Sequence, residues 1–443
     1  MKETITFRRI WVLAYPIILG SIAQNLINVV DTAFLGRLGA VPLGAAALGG
    51  LFYYIITMLG FGFGTGLQII IARRVGQGRT NRVGEVWLHA FLFLVPFSIL
   101  MFFFIRYFSS WVLYPLIESH EIFEGTKEFL SYRSYGIFFA YLNVLFRSFF
   151  IGIEKTRIIS YSTFFMAMIN IVLDYAFIFG NLGAPELGLK GAAIASSISE
   201  FSATIFLLAY SLNKVSFVKY GFNRFKKFKV LRLIKILKIA GPVMIQSFIS
   251  ISCWFTFFLL VEKIGEDALA VSNIIRSIYI IFFIPVQGFS SATNVLVSNF
   301  IGKGAYKEVL RIIFRVIKLC LIGVGVIVAI CWIAPKLLIS IYTDDPNLIS
   351  MSLAPLKVIS ITAFTLTSGF IFYYGVMGTG KTMVAFYIEL LALVVYVSFA
   401  YTIIHFFHAN VAHAWTVEGV YGLMMTLLSF LYIKYGKWKH AKI

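Results

Sequence analysis

The chain has 443 residues, of which 60% are hydrophobic and only 13% charged, with a mean hydropathy of +0.89. A soluble domain carries about 25% charged residues, so this composition excludes a soluble protein and predicts a polytopic membrane protein. The formal net charge of +19 would suggest nucleic acid as the partner of a soluble chain; here the position of the charge decides.

The first apolar run starts near Ile10, is too long for a cleavable signal and lacks a small-residue cleavage site, so it reads as the first span. Runs of spanning length follow one another at about 10–35, 45–72, 86–107, 128–150, 157–180, 190–212, 236–262, 270–300, 310–333, 350–377, 382–406 and 414–434. They predict an all-α integral membrane protein of twelve transmembrane helices. The cysteines, Cys253, Cys320 and Cys331, all fall in these runs and have neither a disulfide framework nor metal spacing. They are expected as small buried apolar side chains.

Twelve spans place both termini on one side. Most of the 38 Lys and Arg fall on that side, in Arg73, Arg74, Arg79 and Arg82, the runs Lys214 to Lys238 and Lys303 to Lys318, and the tail Lys434 to Lys442. Glu118, Glu121, Glu124, Glu128, Asp344 and Asp345 fall on the other. The positive-inside rule then predicts cytoplasmic termini in a plasma (inner) membrane. The basic charge is topological, and the expected partner is the bilayer rather than nucleic acid.

Span 1 contains a carboxylate. At 100° per residue Ser21, Gln24, Asn28 and Asp31 lie within about 80° of one another on a helix, leaving the other faces apolar. An intramembrane carboxylate costs a few kcal/mol and usually faces a bundle interior or water, marking an ion or substrate pathway. Capping or solvation at the helix end is the plainer explanation of Asp31.

A constant offset of 226 residues then organises the chain. It relates Pro16 to Pro242, Gly39 to Gly265, Gly62 to Gly288, Gly76-Gln77-Gly78 to Gly302-Lys303-Gly304, Gly152 to Gly378 and Lys155-Thr156 to Lys381-Thr382. The chain therefore reads as two pseudo-symmetric six-helix bundles in a parallel repeat, an N-lobe (1–212) and a C-lobe (236–443), joined by a basic cytoplasmic linker (213–235). Transporters of this build hold substrate at the halves and alternate access; a duplicated channel or scaffold is the other reading.

The halves differ in chemistry. At the repeat offset Asp31 becomes Phe257, Gln24 becomes Ser250, Asn170 becomes Tyr396 and Asp174 becomes Ala400, which concentrates the polar chemistry in the first half. Span 5 presents Asn170 and Asp174 at i and i+4, and span 6 presents Ser196 and Glu200 likewise. At about 1.5 Å rise per residue, Asp31, Asp174 and Ser196 fall roughly 6–10 Å inside the outer interface, so three helices bring oxygen to one depth. Two neighbouring carboxylates do not both stay ionised unless a cation lies between them or one holds a proton. These residues are the expected coupling site, the alternative being hydrogen bonds across helices. Glu200 lies about one turn deeper and either extends a relay or pairs with a basic or amide group.

Other intramembrane polar residues suggest less. Glu389 has no evident companion, and a structural hydrogen bond or snorkelling accounts for it; snorkelling also accounts for Arg147. Arg276 could line a second-half cavity, and His405, His408 and His413 read as a solvated loop. Gly375 to Thr382 fits the phosphate-loop pattern GxxxxGK[ST]. It follows a membrane span rather than a strand, so it is read as a helix-turn-helix connection. With no nucleophile–base pair or metal-ligand spacing either, enzymatic activity is not expected.

With these residues in hand, the chain resembles the multidrug and toxic compound extrusion (MATE) family. The resemblance rests on Pro16, Gln24, Val30-Asp31-Thr32, Gly76-Gln77-Gly78, Asn170, Asp174, Gly191 to Ser196 and Pro285 to Gly304. It implies a V-shaped twelve-helix antiporter, a monomer that expels cationic or amphiphilic drugs or toxic metabolites in exchange for H⁺ or Na⁺ and needs no other cofactor. It maps the cation site onto Asp31, Asn170 and Asp174, with Ser196 where the family often has Thr. Gln24 and Asn143 fall among first-half cavity residues, joined by Asn28 of the same stripe as Gln24. One branch of the family uses acidic residues in spans 7 and 10; here span 7 has Ser250 and span 10 has no carboxylate, so coupling is expected through the first half. The rival reading is a lipid-linked precursor flippase of the same wider superfamily, expected to show more helices or a strongly basic central cavity.

Overall fold

The computed structural model describes residues 5–224, 227–407 and 409–439. Among them, all regular secondary structure is helical. The spanning helices are α1 (Phe7–Gly36), α2 (Ala40–Gly76), α3 (Val83–Phe103, continued through a π-helical turn at Phe104–Phe108), α4, α5 (Arg157–Phe179) and α6 (Leu189–Lys214). There follow α7 (Val230–Glu262), α8 (Glu266–Gly302), α9 (Val309–Ile333), α10 (Pro346–Gly378), α11 (Thr382–His405) and α12 (Val417–Tyr435). Helix α4 consists of two segments, His120–Arg133 and Gly136–Gly152, bent by 53° against each other. Eleven helices among the described residues are long and apolar enough to cross a membrane, and the bent pair makes twelve.

The repeat is visible in the backbone. Gly39 and Gly265 cap the starts of α2 and α8 with φ of 115° and 145°, a region that favours glycine. Helices α2 and α8 end in the same motif. Gly78 N–H donates to the Val75 carbonyl and Arg79 N–H to Arg74; Gly304 N–H donates to Ile301 and Ala305 N–H to Phe300. This pairing with a left-handed residue at its centre satisfies the last helical carbonyls. Gly375 to Thr382 is the turn from α10 to α11, as its membrane context predicts, and a Cβ on Gly378 would lie 2.7 Å from the Asn294 carbonyl oxygen.

The chain packs into two compact units. One comprises residues 19–244 and the other residues 1–18 with 245–443. The packing units follow a different line from the repeat boundaries, because α1 and α7 each pass from one unit to the other. Both changes occur two residues after a helical proline, Pro16 or Pro242, where the i−4 hydrogen bond is lost and a helix can change direction.

In the unit 19–244, α2 crosses the start of α7 at backbone distance: a Cβ on Gly62 would lie 2.6 Å from Met244 Cα, and one on Gly66 2.5 Å from Ala240 Cα. In the other unit, a Cβ on Gly288 of α8 would lie 2.4 Å from Ile18 of α1. These are repeat-equivalent crossings of the small-residue kind that draws membrane helices together. The linker also packs within its unit. Phe222 stands against Trp87 and Phe149, Lys229 N–H donates to His89 Nε2 at 3.0 Å, and Arg232 pairs with Glu85.

Overpacking a tight crossing costs about 1–3 kcal/mol. Gly62→Ala is therefore expected to lower the thermal unfolding midpoint of the purified protein by that equivalent. Gly50→Ala, at a position with no atom within 4 Å of its Cβ, is expected to leave the midpoint unchanged.

Candidate cation site

Within the unit 19–244, α1 packs on α5 through small side chains. Ala23 and Ile27 meet Ala167, and a Cβ on Gly20 would be 3.5 Å from Thr163 Oγ1. Such a seam lets two helix backbones approach closely. It places Asp31, on the last turns of α1, opposite Asp174 of α5, with the carboxyl groups near enough to interact directly.

Asn170 lies one turn below Asp174 on the same helix, and both are 0% exposed. Asp31 Oδ1, both Asp174 oxygens and both Asn170 amide atoms are buried without a hydrogen-bond partner. Buried polar atoms are normally paired. Here five atoms on two helices are orphaned together, with oxygens suited to a hard monovalent cation or to a proton shared by two carboxyls.

The field of Arg133 reaches both aspartates. Arg133 is already committed. Its guanidinium grips Glu200 with two bonds of 2.8 and 2.5 Å and lies 3.8 Å from the centre of the Tyr53 ring, while Tyr53 hydroxyl donates to the same carboxylate at 3.1 Å. A bidentate pair of this kind is a strong ionic hydrogen bond. It offsets part of the arginine charge, whose field nonetheless reaches both aspartates.

The ion pair lies at the bend in α4. A Cβ on Gly136 would lie 2.0 Å from Arg133 Nη1 and 2.5 Å from Glu200 Oε2. A side chain at this position would therefore push on the ends of Arg133 and Glu200, where the second segment of α4 begins. Arg133, Tyr53 and Gly136 had not been singled out from the sequence. The available signal was Glu200 itself, since a glutamate within a span needs a cationic partner on a neighbouring helix.

The remaining predicted residues are placed as follows. Ser196 is half-buried on α6, and its carbonyl accepts from Ser199 Oγ at 2.8 Å. Asn143 is tied to α6, donating to the Glu200 carbonyl at 2.9 Å and accepting from Thr204 at 3.0 Å. Gln24 and Asn28 are exposed on α1. Of the two environments weighed for Glu200, the pairing with a basic group is the one formed.

The other unit also contains buried carboxyls. Glu389 of α11, for which a structural hydrogen bond or snorkelling is expected, accepts from Ser250 Oγ at 2.8 Å and Tyr421 hydroxyl at 2.7 Å. A further carboxyl, Glu418 of α12, accepts from Tyr396 at 3.0 Å and Tyr279 at 3.4 Å. Glu418 escaped notice because it begins an apolar run, where acidic side chains normally serve the first helical turn. Arg276 lies over the Phe258 ring at 5.4 Å. His405 stacks on Tyr401 at 5.1 Å, His413 N–H donates to Asn410 Oδ1, and His408 lies outside the described residues.

A MatE family model matches residues 16–176 and again 242–402. The matches are offset at both ends by the same 226 residues as the repeat. The chain belongs to the MATE family. Among relatives of this multi-pass MATE transporter, a probable multidrug resistance protein NorM from Thermotoga maritima is 26% identical, covering 97% of this chain and 93% of its own. One from Pasteurella multocida is 26% identical over 86% and 83%. A MOP superfamily transporter from Pyrococcus furiosus shares the fold with a TM-score of 0.89, at 20% identity over 97% of this chain and 95% of that one. A MATE structure in the bent conformation gives 0.87 at 20% identity, over 96% and 94%.

Breaking a buried ion pair from one side leaves an uncompensated charge and costs about 3–5 kcal/mol. Glu200→Gln and Arg133→Gln are each expected to destabilise the purified MATE transporter by that order. The double variant is expected to be less destabilised than the sum, which a thermal double-mutant cycle measures.

Proposed function

We propose that this MATE transporter is a secondary active multidrug efflux antiporter, exporting cationic or amphiphilic compounds in exchange for H⁺ or Na⁺. Asp31, Asn170, Asp174 and Ser196 form the coupling site. The observation that carries this reading is the set of five orphaned buried atoms on α1 and α5, beside an arginine already paired with Glu200. The names of the relatives, probable multidrug resistance proteins, support the substrate class. The positive-inside distribution supports a plasma-membrane protein with cytoplasmic termini, and nothing in the reading requires more than a monomer.

Cation binding supplies the charge that the two aspartates lack, and drawing Asp31 toward Asp174 shifts α1 along its small-residue seam with α5. Pro16 lies inside α1 and is available as a point of bending. The shift changes the first-half surface carrying Gln24 and Asn28 and favours substrate release to the outside. Exchange requires cation and substrate to disfavour each other, a negative coupling between two sites.

Asp31→Asn and Asp174→Asn are each expected to lower drug or dye efflux by roughly tenfold or more, the range of allosteric coupling factors. Both variants exporting normally at normal expression would overturn the site. In proteoliposomes an imposed Na⁺ gradient at clamped pH, set against a proton gradient without Na⁺, identifies the coupling ion. A lipid-linked precursor flippase would instead rescue a precursor-export defect without conferring drug resistance.

A further inference from the structure

The second half contains a buried carboxyl whose partners are arranged unevenly. Glu389 is 2% exposed. Its Oε1 accepts two hydroxyl hydrogen bonds, from Ser250 at 2.8 Å and Tyr421 at 2.7 Å, while its Oε2 is buried with no hydrogen-bond partner.

An ionised carboxylate spreads its charge over both oxygens, and each then attracts donors. Two donors on one oxygen and none on the other is the pattern of a carboxylic acid, with Oε1 as the carbonyl and Oε2 bearing the proton. The surroundings agree. Ser250, Gln246 and Cys253 face Glu389 from α7, Tyr421 from α12 and Tyr373 from α10. No lysine, arginine or histidine is among the described groups that interact with it. A buried carboxylate without a cation is the costlier state; an acid with one unused O–H gives up only a hydrogen bond.

We propose that Glu389 is a proton-binding site of the second half, separate from the aspartate pair of the first. With its proton on Oε2, Glu389 joins α7, α11 and α12 through one carbonyl oxygen. The proton binds a single oxygen lone pair and displaces nothing, so the step balances with H⁺ as its only reactant. Tyr421 also packs edge-on against Tyr396 at 5.7 Å, and Tyr396 donates to Glu418. The site thus adjoins a second buried carboxyl through two tyrosines. Glu418 accepts one hydroxyl on each oxygen, a more even arrangement that does not mark either oxygen as protonated.

Infrared spectroscopy of the purified full-length protein tests this independently of transport. The carbonyl stretch of a protonated, buried carboxylic acid is expected at neutral pH, with a shift in D₂O. The band is expected to be lost in Glu389→Gln and kept in the Asp31→Asn, Asp174→Asn double variant, so the outcome does not depend on the coupling-site reading. Tyr421→Phe keeps the ring, removes one donor to Oε1, and is expected to move the band to higher frequency. Absence of the band in the wild type, its persistence in Glu389→Gln, or its loss only in Glu418→Gln would overturn the assignment. So would its removal by saturating NaCl but not KCl, which would assign a metal cation instead.

Discussion

Taking a carboxylate out of water costs several kcal/mol even after relaxation, so every acid inside these helical units must acquire a cation, a proton or a set of donors. The chain meets this constraint in different ways. Glu200 is held by Arg133 and Tyr53. Glu389 and Glu418 accept from hydroxyls, with the Gln246 amide also beside Glu389. Asp31 and Asp174 have each other, which deepens the deficit, since both carry the same sign. A position that a fixed side chain neutralises is structural; one left for a mobile ion can be functional.

The distinction reaches into the backbone. The Arg133–Glu200 pair lies at the bend in α4, beside residue 136, which has no Cβ to press on it. Beside the aspartates, α1 meets α5 through Gly20, Ala23, Ile27 and Ala167, with Phe34 edge-on against Phe179.

The spans and the repeat were legible in the sequence because hydropathy and the 226-residue offset are carried by many residues at once. The offset recurs in the φ values of Gly39 and Gly265 and in the helix ends at Gly78 and Gly304. The facing of Asp31 and Asp174 was legible from depth, since alternating helices of known rise bring equal depths together. Partnerships were less accessible. Arg133 falls near the start of the fourth apolar run, just after Glu121, Glu124, Lys127 and Glu128, and nothing in the sequence marks it as a buried guanidinium. Glu389 looked solitary because its donors, Ser250 and Tyr421, are distant in sequence and uncharged.

The repeat also explains how a duplicated scaffold acquired two kinds of acid. Tyr53 and Tyr279 occupy the same repeat position, and both donate to a buried glutamate. The glutamates are not equivalent: Glu200 corresponds to Thr426, Glu418 corresponds to Ala192, and the place of Arg133 is taken by Ile359. Where the arginine is missing, hydroxyls replace it. Tyr396 stands at the Asn170 position and donates to Glu418, and Ser250 stands at the Gln24 position and donates to Glu389. Hydroxyl donors can serve either protonation state of an acid, because they rotate and have no charge of their own. An arginine cannot, since it favours the ionised form alone. The half with the arginine therefore has a fixed ion pair beside an unsatisfied aspartate pair, whereas the half without it surrounds its acids with groups that tolerate the gain and loss of a proton.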